Sequence, residues 1–159
     1  MKKKLPHSSR KKRESKKHKG KLLRTLIDTG STRNTIKANI LRKTKLKKRK
    51  HPLLWDTFTG TLKTYDYAKG VEIHMPEFSD SKSANLDFDV IPEEASKSIP
   101  YDMVIGRSGL KDLKIVIDYD KNVIRWGEVE VVMKSDDYYD SKEKLYAAFV
   151  ESAEPTEVK

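Results

Sequence analysis

The chain contains no cysteine, so neither a disulfide framework nor a cysteine-based metal site is open to it. Its four histidines, His7, His18, His51 and His74, have no ligand-like spacing. They are expected at the surface, and no metal or cofactor is called for. No apolar run reaches the length of a signal-peptide core or a membrane span. That predicts no membrane partner and fits a protein of the cytoplasm, or one enclosed in a particle. Apolar residues are in short supply as well. They make up 36% of 159 residues, matched by 36% charged residues, which predicts one domain with a modest core.

What the chain does have is charge, unevenly placed. Residues 1–50 hold 21 Lys/Arg against two acids, a net of +19, while residues 51–159 hold 13 against 22, a net of −9. The overall +10 is therefore a property of the first third. Residues 1–21 carry eleven Lys/Arg and one acid, a self-repelling block expected to be a disordered arm. A solvated arm, a nucleic-acid contact and a nuclear import signal all fit it. Residues 42–50 carry seven positive charges in nine positions. They are expected as a solvated loop, with a weak nucleic-acid contact as the alternative.

The organising stretch is 22–36. Leu22, Leu23, Leu26 and Ile27 predict a strand buried on both faces, and it delivers Asp28 into a Thr29-Gly30-Ser31 turn. A carboxylate at the end of a buried strand is costly unless hydrogen bonds or function hold it there. A lone Asp-Thr-Gly arises by chance in about one chain in fifteen of this length, and an Asp capping its own turn explains it equally well. About seventy residues on, however, Tyr101-Asp-Met-Val-Ile-Gly-Arg-Ser-Gly-Leu110 runs an apolar strand into Gly106-Arg107 and a predicted helix over 108–113.

Strand, Asp-Thr-Gly, hairpin, apolar-apolar-Gly-Arg and helix is the order found in retropepsins. Residues 21–126 resemble the protease segment of Gag-Pol polyproteins, most like those of gypsy-class LTR retrotransposons. The resemblance implies an all-β fold, a retropepsin-like closed or partly open β-barrel with one or two short helices. It implies a basic arm at 1–21, a protease domain at 22–134, and an acidic tail or linker toward a reverse transcriptase at 135–159. It also implies an aspartic endopeptidase acting on a Gag-Pol polyprotein, with virus-like particles as one location. Asp28 is then the catalytic residue, supported by Thr29, Gly30, Ser31, Ile105, Gly106 and Arg107. Phe58, Thr59 and Gly60 form the tip of the flap that closes on the peptide. In the relatives the matching arginine pairs with an acid two residues beyond the Asp-Thr-Gly glycine. Here that position is Thr32, so the ion pair is absent. Gly109 replaces a residue that is usually apolar, which weakens the helix by about 1 kcal/mol if exposed.

The remaining pattern supplies the frame. A short helix is expected over 37–44, with His51-Pro52 as a break after the basic run. Residues 53–65 predict two strands meeting at 57–60, where Gly60 permits the turn. Val71, Ile73 and Met75 should face inward with Glu72 and His74 outward. Leu86, Phe88 and Val90 should face inward with Asp87 and Asp89 on a wet face. Residues 91–100 are expected as a connecting loop, 115–126 as a hairpin turning at 120–122, 129–133 as an edge strand and 145–150 as a helical turn. Residues 10–17 would have to supply the first retropepsin strand, a poor match, turning at 18–21.

Only one Asp-Thr/Ser-Gly is present, and 159 residues are too few for two lobes. One carboxylate cannot be both general base and general acid in peptide hydrolysis, so the second must come from another copy, in a twofold homodimer. Two alternatives stand beside this reading: an inactive relic of the same fold, and a basic nucleic-acid-binding fragment. A β adaptor that binds peptides by strand addition without cleaving them is a third.

Overall fold

The computed structural model describes residues 22–57, 60–134 and 148–150. Strand formation begins with β1 (Leu22–Leu23) and β2 (Thr25–Ile27), which the sequence predicts as one strand buried on both faces. The chain changes neighbours at Arg24. Its N–H donates to the Asp102 carboxylate at 3.0 Å and its carbonyl accepts from the Asp102 N–H at 2.9 Å. Only Leu23 is fully buried; Leu22 is exposed, and Leu26 and Ile27 are half-buried.

After β3 (Thr35–Lys37), the helix expected over 37–44 is a single 3-10 turn, Ala38–Leu41, that buries Leu41. The basic run is a loop only over residues 42–46. It opens β4 (Lys47–Thr57), which continues through His51-Pro52. Pairing with β5 (Gly60–His74) slips between Lys48 and Leu53, so residues 49–52 lie in a bulge. β4 pairs only with β5 among the described strands, and at such an edge the missing proline N–H costs the ladder nothing.

β6 (Ser83–Ile91) pairs with β5 and, in parallel, with β3. α1 (Glu93–Ser96) interrupts the stretch expected as plain loop. β7 (Met103–Ile105) then runs between β3 and β2, antiparallel to one and parallel to the other. α2 (Arg107–Leu113) follows directly. β8 (Val116–Asp118) and β9 (Val123–Trp126) form the expected hairpin, with Asn122 at φ 56° in its turn, and β10 (Val129–Val132) completes a three-stranded sheet. Ala148–Val150 is strand β11, seated between β1 and β5, where a helical turn was expected. The other residues of 135–159, and all of 1–21, lie outside the described residues.

The fold is thus mostly β with two short helices. Its main sheet runs β1-β11-β5-β6-β3-β7-β2 and stays open. Ile36, Ile73, Phe88, Met103 and Ile105 form the centre of the core, and Trp126 closes it edge-on against Phe78. The inward set on β5 is as expected, but His74 is 5% exposed rather than outward. Asp89, expected on a wet face, is 2% exposed. Its carboxylate accepts from Arg33 at 2.6 Å and from Arg49 at 2.8 Å, which is why a charge is tolerated there.

Candidate active site

β2 ends at Ile27 because Asp28 turns the chain. The Asp28 N–H donates to the Ile105 carbonyl at 3.0 Å, tying this loop to the end of β7. Its Oδ1 accepts from the Gly30 N–H at 2.8 Å, and its carbonyl accepts from the Ser31 N–H at 3.3 Å. The carboxylate is held by its own turn while half-exposed, and Thr29 and Gly30 are exposed. Residues 28–31 therefore present an oriented acid.

The second loop is built onto the first. The N–H of Arg107 donates to the Ser31 carbonyl at 2.8 Å, and that of Ser108 to the Thr32 carbonyl at 3.1 Å. Asn34 is 3% exposed, and its Oδ1 accepts from the N–H groups of Gly106 and Gly109 at 3.0 and 3.2 Å. The first N–H groups of α2, which have no partner inside the helix, are thus satisfied by the aspartate loop and by one buried amide. Gly106 has no room for a side chain: a β-carbon there would lie 2.3 Å from the Arg33 carbonyl oxygen. Gly109, expected to weaken an exposed helix, is instead buried, and a β-carbon would lie 2.4 Å from Asn34 Oδ1. Arg107 finds no acid among the described residues, and its Nη2 donates to Thr32 Oγ1 at 3.1 Å.

The hairpin of β4 and β5 arches over this floor. Thr57 pairs with Gly60, whose φ of 136° suits glycine, and Thr57 Oγ1 donates to the Gly60 carbonyl at 2.6 Å. Trp55 Nε1 donates to Thr64 Oγ1 at 2.9 Å, fixing the indole to the sheet. Phe58 and Thr59 lie outside the described residues.

Between floor and hairpin is a cleft of about 850 Å³. Asp28, Gly30, Ser31 and Thr32 line it from below, and Leu54, Trp55, Asp56, Thr57 and Gly60 from the hairpin. Ile91, Ile99, Tyr101 and Val104 form its apolar side. Of the residues expected at the site, Asp28, Gly30, Ser31 and Gly60 therefore meet at one cavity. Thr29, Ile105, Gly106 and Arg107 do not line it; the last three act through the backbone and the loop-to-loop bonds. Asn34 and Asp89 were missed, and no local pattern marks either. Asp56 was also missed, although its place in the hairpin was a usable signal. Among the described residues no group of three or more His, Asp or Glu converges as a metal site would require.

No protein-family model matches the chain, and no curated protein matches it. Among solved structures it is similar to the crystal structure of the retroviral protease-like domain of Ddi1 from Leishmania major. That match has a TM-score of 0.51 and 14% identity, over 73% of this chain and 95% of the other. At that identity the likeness speaks for the fold, which is retroviral protease-like.

Proposed function

We propose that this chain is an aspartic endopeptidase that uses one Asp28 from each subunit of a twofold homodimer. The observation that carries the reading is the way Asp28 is held. A half-exposed carboxylate is oriented by the Gly30 N–H at 2.8 Å, on a loop bonded to Ile105 and Arg107, at the floor of a peptide-sized cleft beneath a hairpin. Thr29 and Gly30 are exposed, leaving that face open to a second copy.

Two such carboxylates brought together cannot both ionise, so they share one proton and titrate as a pair. The ionised member takes a proton from a bound water, which attacks the scissile carbonyl. The protonated member donates to the carbonyl oxygen and then assists departure of the nitrogen. The peptide lies extended in the cleft and bonds to backbone groups as an added strand. The absence of an acid at Thr32 does not leave the floor loose, because the Thr32 hydroxyl and carbonyl and the Asn34 amide take over the bracing. This favours an active enzyme over a relic. A retrotransposon Gag-Pol polyprotein is the substrate that the motif order suggests.

The test is cleavage of Gag-Pol-derived peptides near pH 5 by the full chain and by Asp28→Asn, with and without pepstatin. Asparagine can still accept from Gly30, so the variant should fold normally and lose at least 10³-fold in rate, on the order expected for an essential proton carrier. Equal cleavage by both proteins would end the proposal. A second reading has one observation behind it. Lys47, Lys48 and Lys50 are exposed on an edge strand, and nucleic-acid binding there would weaken steeply with salt.

A further inference from the structure

The described residues lining the cleft carry only one sign of charge. Among the described residues two are carboxylates, Asp28 on the floor and Asp56 on the hairpin, and none is a lysine, arginine or histidine. This is unusual company in a chain of net charge +10. Among the described residues the nearby cations do not line the cleft, and several are engaged: Arg24 lies over the Tyr101 ring at 5.1 Å. Arg33, just past the floor loop, is bound to Asp89 at 2.6 Å, and Arg107 bonds Thr32. Lys63 stands across from Leu54, diagonal to Asp56 on the same face of the hairpin. It forms no ion pair with Asp56 among the described residues and does not line the cleft. An exposed aspartate near a hairpin tip is ordinarily a solubility device. Asp56 differs in bordering a concave, partly apolar site, where a charge is felt more strongly than on open surface.

We infer that Asp56 selects substrate: the cleft favours peptides carrying a lysine or arginine side chain where the chain passes under the hairpin, and disfavours glutamate and aspartate there. The inference rests on the peptidase reading for its cleavage consequences, but the charge preference belongs to the cleft itself. Asp28 is committed to the reacting bond, so Asp56 is the carboxylate free to meet a substrate side chain. A Lys or Arg placed there gains a charge-assisted hydrogen bond, whereas an acid meets like charge. In a twofold dimer each half of the cleft would bring its own Asp56, so a basic residue would be favoured on both sides of the scissile bond.

The experiment digests a broad peptide library with the full chain and identifies the cut sites by mass spectrometry, with Asp28→Asn as the blank. Wild type should show Lys or Arg enriched over Asp or Glu by about tenfold at one or more positions near the scissile bond. Asp56→Asn should lose most of that enrichment, Asp56→Glu should keep it, and Asp56→Lys should invert it. Asp28-dependent cutting with no basic preference, or with one that Asp56→Asn leaves intact, overturns the inference while the peptidase reading survives. Where no cutting exceeds the blank, the peptidase reading fails and binding decides the matter. Labelled alanine-based decapeptides with a central Lys, Gln or Glu are titrated by anisotropy against wild type and Asp56→Asn. Tighter binding of the Lys peptide that vanishes in the variant supports the inference, and equal binding overturns it.

Discussion

Asn34 and Gly109 fit together as acceptor and donor with no space between them. The Gly109 N–H donates to Asn34 Oδ1 at 3.2 Å, and a β-carbon on residue 109 would stand 2.4 Å from that same oxygen. A polar side chain on the loop after Asp28 and a missing one on α2 therefore act as a matched pair.

Gly109→Ala should destabilise the protein despite the higher helix propensity of alanine. Overpacking of this kind costs about 1–3 kcal/mol, against about 1 kcal/mol gained from propensity. Asn34→Ala should cost about 1–3 kcal/mol by leaving two buried N–H groups without an acceptor. The double variant should cost less than the two singles added together. Urea unfolding of the four proteins measures the coupling, and strict additivity would refute the pairing.

Gly106→Ala is expected to be far worse. Its β-carbon would meet the Arg33 and Ser31 carbonyl oxygens at 2.3 and 2.7 Å, and both are backbone atoms that cannot rotate away. The variant should fail to accumulate as folded protein or lose at least about 4 kcal/mol. A cooperative transition near the wild-type temperature would contradict the packing described.

Asp89→Asn should cost about 2–4 kcal/mol. The carboxylate is 1% exposed while Arg33 and Arg49 are 49% and 26% exposed. The loss should therefore fall somewhat below that of a fully buried pair. Because Arg33 belongs to the floor loop and Arg49 to β4, amide exchange should quicken in both segments. Faster exchange in one alone would argue against a shared anchor.

Thr32→Asp places an acid opposite Arg107, whose Nη2 lies 3.1 Å from the present hydroxyl. The gain should be small, about 0.2–1 kcal/mol, since Arg107 is exposed. It should shrink in high salt. A salt-independent change would point to something other than the ion pair.

Glu77 gives a pH signature. Burial raises its carboxyl above the ordinary value of 4.5, with Lys134 pulling in the opposite direction. A raised carboxyl stabilises the fold below its ordinary value, and that contribution is lost as pH climbs through the raised one. Glu77→Gln should thus gain on wild type between pH 4 and pH 7 in denaturant unfolding. A difference that stays constant with pH would rule this out.

The loop at Asp28, the hairpin ending at Gly60 and the passage from Met103 into α2 were legible because each couples an apolar run to a glycine turn. Residues 47–50 were not. Four consecutive cations suggest solvent, yet they open an edge strand, Lys47 and Lys48 pairing with β5 and Arg49 and Lys50 entering its bulge, with their side chains largely outside. Asp89 was misjudged because alternation gives the face a residue occupies, not whether arginines 40 and 56 residues away cover it. His74 was misplaced by the same alternation rule. Gly109 was misjudged because its neighbour, Asn34, is 75 residues away in the chain. Propensity rules see only local partners.

The bonds that hold the floor join Asn34 to Gly106 and Thr32 to Arg107, pairs 72 and 75 residues apart. β2, which carries the acid, has no sheet neighbour but β7 among the described strands. During synthesis the acid and its own turn therefore leave the ribosome long before the partners that brace the loop, and such distant pairings form late. The loop that carries Asp28 is thus braced only after translation has passed Arg107 and Ser108.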